Sequence, residues 1–532
     1  MFSFIRNHKI TTVLAVLVFA VVLALYARRR GPHHGYELDF VLPATDAAMG
    51  TGPLEVGVAK RDISPVFEQY DDWRDENGNG RFDKDADTYT DRNGDGNFDG
   101  VWMAGFNSNR PAKDMHDPLW VRALALRNNG VTLVLVTLDS IGIFHNEFVT
   151  IRKRLDPSLH IDHVLFSCTH NHETPDTMKI WSGPIPVWGF QPQYVDLVQA
   201  MAQQAIEEAV RELQPADMTC ARVEVPIDGF VDDSRKPQVI DQTMYLFRFT
   251  KPGGDETVAT FVNWGNHAET LGGGNSSITS DFAHYLRQGL EQGVPEPNGV
   301  KGFGGMCLYF QGQIGGLMTQ LHTTVPHRDG QQSFKDASFE KAESLGYNLA
   351  ILADRALRSD QAWKNERPLI AVAARTIKAP LKGMFKYAIM LGLIHEGYYL
   401  GGYAKTEINA LRIGDVLLVG IPGELSPEIV EGGAEALPGR DFEIEPQEVP
   451  PLRQVMEQGP RLALVIGLGN DEIGYMVPKS QWDTEEPYVY EHEQYGEENS
   501  GGPDVALTIH HEAKALIESL FAAHPFQPHA AQ

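Results

Sequence analysis

Apolar residues follow two patterns along this chain. Short runs in which almost every position is apolar, such as 131–137 (Val-Thr-Leu-Val-Leu-Val-Thr) and 162–167, have the length and β-branched content of strands buried on both faces. Longer stretches place apolar side chains every three or four residues, the period of a helix with one buried face. The first pattern predicts strands over 131–137, 162–167, 218–224, 243–250, 256–263, 305–310, 369–376 and 415–421. The second predicts helices over 146–155, 191–213, 281–292, 334–358 and 505–522, with the second of these stopping before Gln214-Pro215. Strands and helices interleave, so the expected class is α/β with mixed β-sheets flanked by helices. No Ser/Gly/Pro-rich linker divides residues 50–525, which predicts one large catalytic-type domain with insertions.

One apolar run fits neither pattern. Residues 10–27 are broken only by Thr11 and Thr12, and Arg6, Lys9 and the triplet Arg28-Arg29-Arg30 flank them. Eighteen residues is short for a bilayer span and long for a signal-peptide core. Residues 1–30 therefore read as an N-terminal membrane anchor or signal segment. Both flanks are positive, so charge does not fix orientation. The expected location is outside the cytoplasm, periplasmic or extracellular, with the body tethered by residues 10–27.

Charge changes the picture twice. A net charge of −26 over 532 residues excludes nucleic acid as the main partner, because phosphate would be repelled. The three cysteines, Cys168, Cys220 and Cys307, exclude a disulfide framework. The acidity is also concentrated: residues 71–100 hold ten acidic side chains against four basic ones, and residues 470–504 hold ten against one. The first block contains a repeat. Asp75-Glu-Asn77-Gly-Asn79-Gly80-Arg-Phe82-Asp83 recurs sixteen residues later as Asp91-Arg-Asn93-Gly-Asp95-Gly96-Asn-Phe98-Asp99. Oxygen ligands at positions 1, 3, 5 and 9, with glycine at 6, match the first part of an EF-hand-type calcium loop. The twelfth-position glutamate is missing, since Ala86 and Trp102 stand there. Asp75, Asn77, Asn79, Asp83, Asp91, Asn93, Asp95 and Asp99 are thus candidate ligands of a structural calcium, with a solvated loop of Asn-Gly turns as the alternative.

The main candidate for chemistry is Cys168-Thr169-His170-Asn171-His172-Glu173-Thr174-Pro175-Asp176, directly after a buried strand. Two histidines at i and i+2 on a strand-end loop can present both rings to one cavity, as half of a zinc site would. Two partly exposed loop histidines would give the same sequence. Cys168 itself reads as a small packed residue. Gly467-Leu-Gly469 and Gly272-Gly-Gly274 lack the spacing of nucleotide-binding loops.

These residues carry a resemblance. Thr-His-Asn-His followed by Pro-Asp, with Trp181-Ser-Gly-Pro184 after it, resembles the zinc-binding element of the neutral/alkaline ceramidase family. Val56-Gly-Val-Ala-Lys-Arg-Asp-Ile-Ser-Pro65, Met103-Ala-Gly-Phe106 and His116-Asp-Pro-Leu-Trp-Val-Arg-Ala-Leu124 resemble its earlier motifs. Phe261-Val-Asn-Trp-Gly-Asn-His267, Ile278-Thr-Ser-Asp281-Phe282, Ile421-Pro-Gly-Glu424, Gly467-Leu-Gly-Asn470 and Ile473-Gly-Tyr475 resemble later ones, in the same order from about residue 55 to 520. The resemblance implies one catalytic zinc on His170, His267, Glu424 and Tyr475, with His172 and Tyr475 acting on the developing oxyanion. Arg235, in Ser234-Arg235-Lys236-Pro237, is similar to an arginine near the substrate head group, and a surface arginine is its alternative. Gly316 and Met318 stand where the family's G-D-V-S-P turn has Asp and Ser, which leaves ceramide itself open as the substrate. The C-terminal immunoglobulin-like domain of the long members is expected to be absent. The implied activity is zinc-dependent hydrolysis of an amide bond in an N-acylated lipid or related molecule. Ester or other acyl-amide hydrolysis, and a non-catalytic calcium-binding surface protein, are the alternatives. Oligomeric state is not legible.

Overall fold

The computed structural model describes residues 13, 16–21, 33, 35–43, 52–181, 192–365, 368–391, 398–399, 402–432, 447–490, 492 and 494–526. Most of the apolar run at 10–27, and Ser182-Gly-Pro184, lie outside the described residues. Among those described, no helix is long and apolar enough to cross a membrane.

The principal elements are β1 (Asp39–Leu42), β2 (Leu54–Asp62), β3 (Trp120–Asn128), β4 (Val131–Leu138), α1 (His145–Arg154), β5 (His163–Cys168), α2 (Pro192–Arg211), β6 (Gln214–Glu224), β7 (Thr243–Thr250), β8 (Thr257–Trp264), α3 (Asp281–Glu291), β9 (Met306–Gln311), α4 (Phe339–Leu357), β10 (Ile370–Pro380), β11 (Tyr403–Ile413), β12 (Val416–Gly420), β13 (Leu462–Ile466) and α5 (Val505–Ala523). They form two mixed sheets. The larger runs β9-β8-β7-β6-β2-β3-β4-β5, and the smaller runs β1-β10-β11-β12-β13. Most neighbours are antiparallel; β4/β5, β8/β9 and β12/β13 are parallel.

Three apolar layers hold these parts together. In β4, Val134, Val136 and Leu138 join a core with α2, α3 and α4, while Leu133 and Leu135 join a second core against the smaller sheet. The period-2 alternation of a strand therefore serves two cores, which explains a run with no polar face. The far side of the smaller sheet is covered by α5, whose Val505, Ile509, Ala513, Leu516 and Leu520 fall on one helical stripe. The layer order is helices, large sheet, small sheet, helix.

The helix expected over 191–213 stops at Arg211, and the strand expected from 218 begins at Gln214. Pro215, a helix terminator in the sequence, sits in the strand opposite Glu55. The helix expected from 334 begins at Phe339, where the Ser338 side chain accepts from the Lys341 N–H as an N-cap. Strand β11 escaped the pattern because Lys405, Glu407 and Asn409 interrupt it; all three are buried. Glu407 takes a bidentate pair from Arg152, at 2.7 and 2.8 Å, and Asn409 Oδ1 lies 2.6 Å from the His163 ring.

β2 and α2 approach closely at Gly57, where a methyl group would lie 2.0 Å from the Ala209 carbonyl oxygen of α2. Gly57→Ala is expected to cost about 1–3 kcal/mol through overpacking, read as a lower denaturant midpoint. An unchanged midpoint would contradict the packing described.

Candidate functional site

The parallel pairs matter because their C-terminal ends converge, and the loops leaving them carry the ionisable residues. His170 and His172 follow β5, His267 and Glu269 follow β8, Glu424 follows β12, and Tyr475 follows β13. Backbone pairing joins the loops. Asn171 bridges Ala268, the His172 N–H donates to the Ala268 carbonyl at 2.9 Å, and Glu424 is the parallel register partner of Tyr475. His170 has φ of +52°, a left-handed conformation uncommon for a residue with a side chain and typical of functional loops.

Each of two imidazoles is pinned at Nδ1. His170 Nδ1 lies 2.7 Å from the Ile141 carbonyl oxygen, and His267 Nδ1 lies 2.6 Å from that of Met318. A proton on Nδ1 leaves Nε2 as a bare lone pair. These lone pairs face another acceptor: Glu424 Oε2 is 3.1 Å from His267 Nε2 and 3.6 Å from His170 Nε2. The Tyr475 hydroxyl is 3.1 Å from His267 Nε2. Protonating the rings is opposed by burial, which pushes His170 down to about 4 and also lowers His267. Burial raises Glu424 and Tyr475. Ligand atoms of His170, His172 and His267 lie within 4.8 Å of one another, as do those of His170, Glu424 and Glu472, so this cluster could hold a metal ion.

His172 stands beside this set, its ring centroid 5.1 Å from His170 and 5.6 Å from His267. Glu269 Oε2 approaches its Nδ1 to 3.4 Å, and Arg110 donates to its carbonyl at 2.5 Å. Burial, followed by the two neighbouring imidazoles, holds His172 well below the ordinary histidine value. Gly105, at φ +75°, lets the ring lie where a methyl group would come within 2.6 Å. The site opens into a cleft of about 120 Å³ whose walls are mainly apolar, including Ile141, Phe144, Met178, Trp181 and Ile473. A second cavity, of about 180 Å³, meets it at Tyr475 and Tyr495.

Five of the expected residues, His170, His172, His267, Glu424 and Tyr475, thus come together. Arg235 borders the second cavity but is buried, not on the surface. Its guanidinium donates to Gln481 at 2.7 Å, Glu497 at 3.0 Å and Glu428 at 3.2 Å. Gly316 abuts the Asp233 carboxylate, whose Oδ2 would lie 2.9 Å from a methyl group there. Residue 318, where the side chain differs from the family turn, acts on His267 through its backbone carbonyl.

The acidic insert is a matched pair of loops. Asp75 accepts from the N–H groups of Gly78, Asn79 and Gly80, and Asp91 accepts from those of Gly94 and Gly96. The rings of Phe82 and Phe98, the eighth residue of each loop, stack at 4.0 Å. Each loop also receives a buried carboxylate absent from its twelfth position. Asp87 accepts from Glu76 and Asp83 N–H in the first loop, and Asp71 accepts from Arg92 and Asp99 N–H in the second. The insert joins the cleft wall, since Phe82 N–H donates to Asn109 and Asn109 N–H donates to Trp181.

Sequence reading missed Glu269 and Glu472, both buried beside the site. Their only signals were a carboxylate two residues after His267 and one three residues before Tyr475. It also missed what anchors the loop after β13. Asn470 exchanges hydrogen bonds with Phe166 and donates to Glu407, which Arg152 grips.

No family model matches the sequence, and no curated protein does. Solved structures do. The chain is similar to the neutral ceramidase from Pseudomonas aeruginosa, with a TM-score of 0.62 and 16% identity, covering 90% of this chain and 76% of that one. It is similar to a ceramidase complexed with C2 at a TM-score of 0.62 and 15% identity, covering 90% and 77%. The chain has a neutral ceramidase-type fold.

Burial would raise the Glu407 carboxyl, but Arg152 outweighs it and holds the group down to about 2. A depressed carboxyl stabilises the folded state above its ordinary value of 4.5 and loses that contribution as pH falls toward 2. Glu407→Gln should therefore cost about 3–5 kcal/mol near pH 7 by leaving Arg152 unpaired. The gap to the unmodified protein in denaturant titrations should narrow between pH 5 and pH 2; a gap independent of pH contradicts this.

Proposed function

We propose that the chain is an exported zinc-dependent hydrolase that cleaves the amide bond of an N-acylated lipid or a closely related acyl substrate. One observation carries this reading: two pinned imidazole lone pairs and a buried carboxylate face a common point at the head of an apolar cleft. The ceramidase-type fold supports the choice of an amide bond, and the basic-flanked apolar run at 10–27 supports export of a catalytic body spanning 50–525.

His170, His267, Glu424 and Tyr475 would hold the zinc. When bound there it would supply an acidified water, its pKa lowered from about 15.7 to about 7, and a Lewis acid for the carbonyl. The polypeptide does the rest. The apolar walls around Phe144, Met178 and Trp181 take the acyl chain and exclude bulk water, which strengthens each polar contact at the reacting carbonyl. His172 stands to donate to the carbonyl oxygen as negative charge develops, with the Glu269 carboxyl beside its ring. Tyr475 shares this oxyanion contact from the opposite side. Arg235 acts on the substrate through the wall it holds, because Glu497 and Glu428 occupy its guanidinium.

Calcium in the insert is part of the same proposal. Asp75, Asn77, Asn79 and Asp83, with Asp87 in support, would form one site. Asp91, Asn93, Asp95 and Asp99, with Asp71, would form the other. The ions would offset the local charge and stiffen the wall that ends at Trp181.

Purified protein should carry one zinc per chain by elemental analysis, lost in His170→Ala and His267→Ala. His172→Ala should keep zinc and lose about 10²–10³ in kcat on an N-acyl amide. A zinc-free protein, or zinc unaffected by both histidine changes, sinks the assignment, and a panel of N-acyl amides, ceramides and esters reads the substrate. Calcium chelation should expose residues 71–100 to protease nicking; identical nicking with and without calcium rejects the calcium sites.

A further inference from the structure

One ionisable side chain faces the same cleft and has no part in the chemistry above. Glu472 leaves the loop after β13 three residues before Tyr475 and is 5% exposed. Its position is fixed from both sides. Oε1 accepts from the Gly474 N–H at 2.9 Å, and its own N–H donates to Asp471, which also accepts from His145 N–H. Gly142 leaves room for its stem, since a methyl group there would come within 2.8 Å of the Glu472 Cγ. The remaining oxygen, Oε2, is sealed from solvent and meets no donor among the described residues. Glu472 lines the cleft together with the apolar Ile141, Phe144, Met178 and Ile473.

A buried carboxylate oxygen without a donor is expensive to keep, and this one sits by another. Ligand atoms of His170, Glu424 and Glu472 lie within 4.8 Å of one another. A divalent cation between the two carboxylates would partner the bare Glu472 Oε2 and offset both charges.

We propose that Glu472 is a second carboxylate ligand of the metal centre, added to His170, His267, Glu424 and Tyr475. The proposal rests on the reading of the site as a metal centre. Two imidazoles and two carboxylates balance the charge of a divalent ion inside the apolar cleft, which one carboxylate alone does not. The second carboxylate also widens the set toward harder divalent ions such as manganese.

The test uses the full chain, with zinc alone as the probe and chelator competition as the readout. Glu472→Gln should bind zinc about 10–100-fold more weakly, while the metal-stripped variant unfolds at or above the temperature of the metal-stripped parent. Glu472→Asp should recover part of the affinity, and it carries the test if the glutamine variant does not fold. Zinc affinity unchanged in both variants, while His267→Ala loses the metal, overturns the proposal and leaves the metal centre standing. Unchanged affinity with reduced turnover also overturns it, and places Glu472 against the substrate. Failure of the parent protein to bind zinc removes the proposal together with the reading beneath it.

Discussion

Two imidazole lone pairs lie 3.1 and 3.6 Å from one buried carboxylate oxygen, a crowding of acceptors that a proton or a metal ion between them relieves. The carbonyls of Ile141 and Met318 hold the Nδ1 side of both rings, so neither ring can turn away. Burial lowers the affinity of both rings for a proton. Nearly every other feature of the site either enforces this crowding or shields it from water.

The architecture supplies the enforcement. Only parallel neighbours bring strand ends of one polarity side by side, and the three parallel pairs in two otherwise antiparallel sheets deliver the loops. The Glu424–Tyr475 pairing and the Asn171–Ala268 bridge then join the loops backbone to backbone, which is stiffer than side-chain packing. The buried Arg152–Glu407 pair holds the Asn470 side chain, which in turn ties the loop after β13 to Phe166 of β5.

Much of this was legible in the sequence. The fully apolar strands announced themselves because Val131–Leu138 feeds a core on each face, and the order of short motifs marked five residues that do converge. What was hidden was polar and tertiary. Strand β11 reads as a loop because Lys405, Glu407 and Asn409 are buried among partners more than two hundred residues away, or at its own edge. Met318 drew attention for its side chain, although its carbonyl does the positioning. Glu472 is one glutamate in an acidic stretch until the fold places it beside Glu424 and removes its solvent. Asp71 and Asp87 complete the two insert loops from positions that a linear motif does not inspect. Linear spacing reports which residues are local neighbours; it does not report which carboxylate lacks a partner.

The most direct test of the account is anomalous diffraction at the zinc absorption edge from crystals of the full chain grown with zinc. The account predicts a peak at bonding distance, about 2.0–2.2 Å, from His170 Nε2, His267 Nε2 and a Glu424 oxygen. No peak there, or a peak only at surface carboxylates, would contradict it.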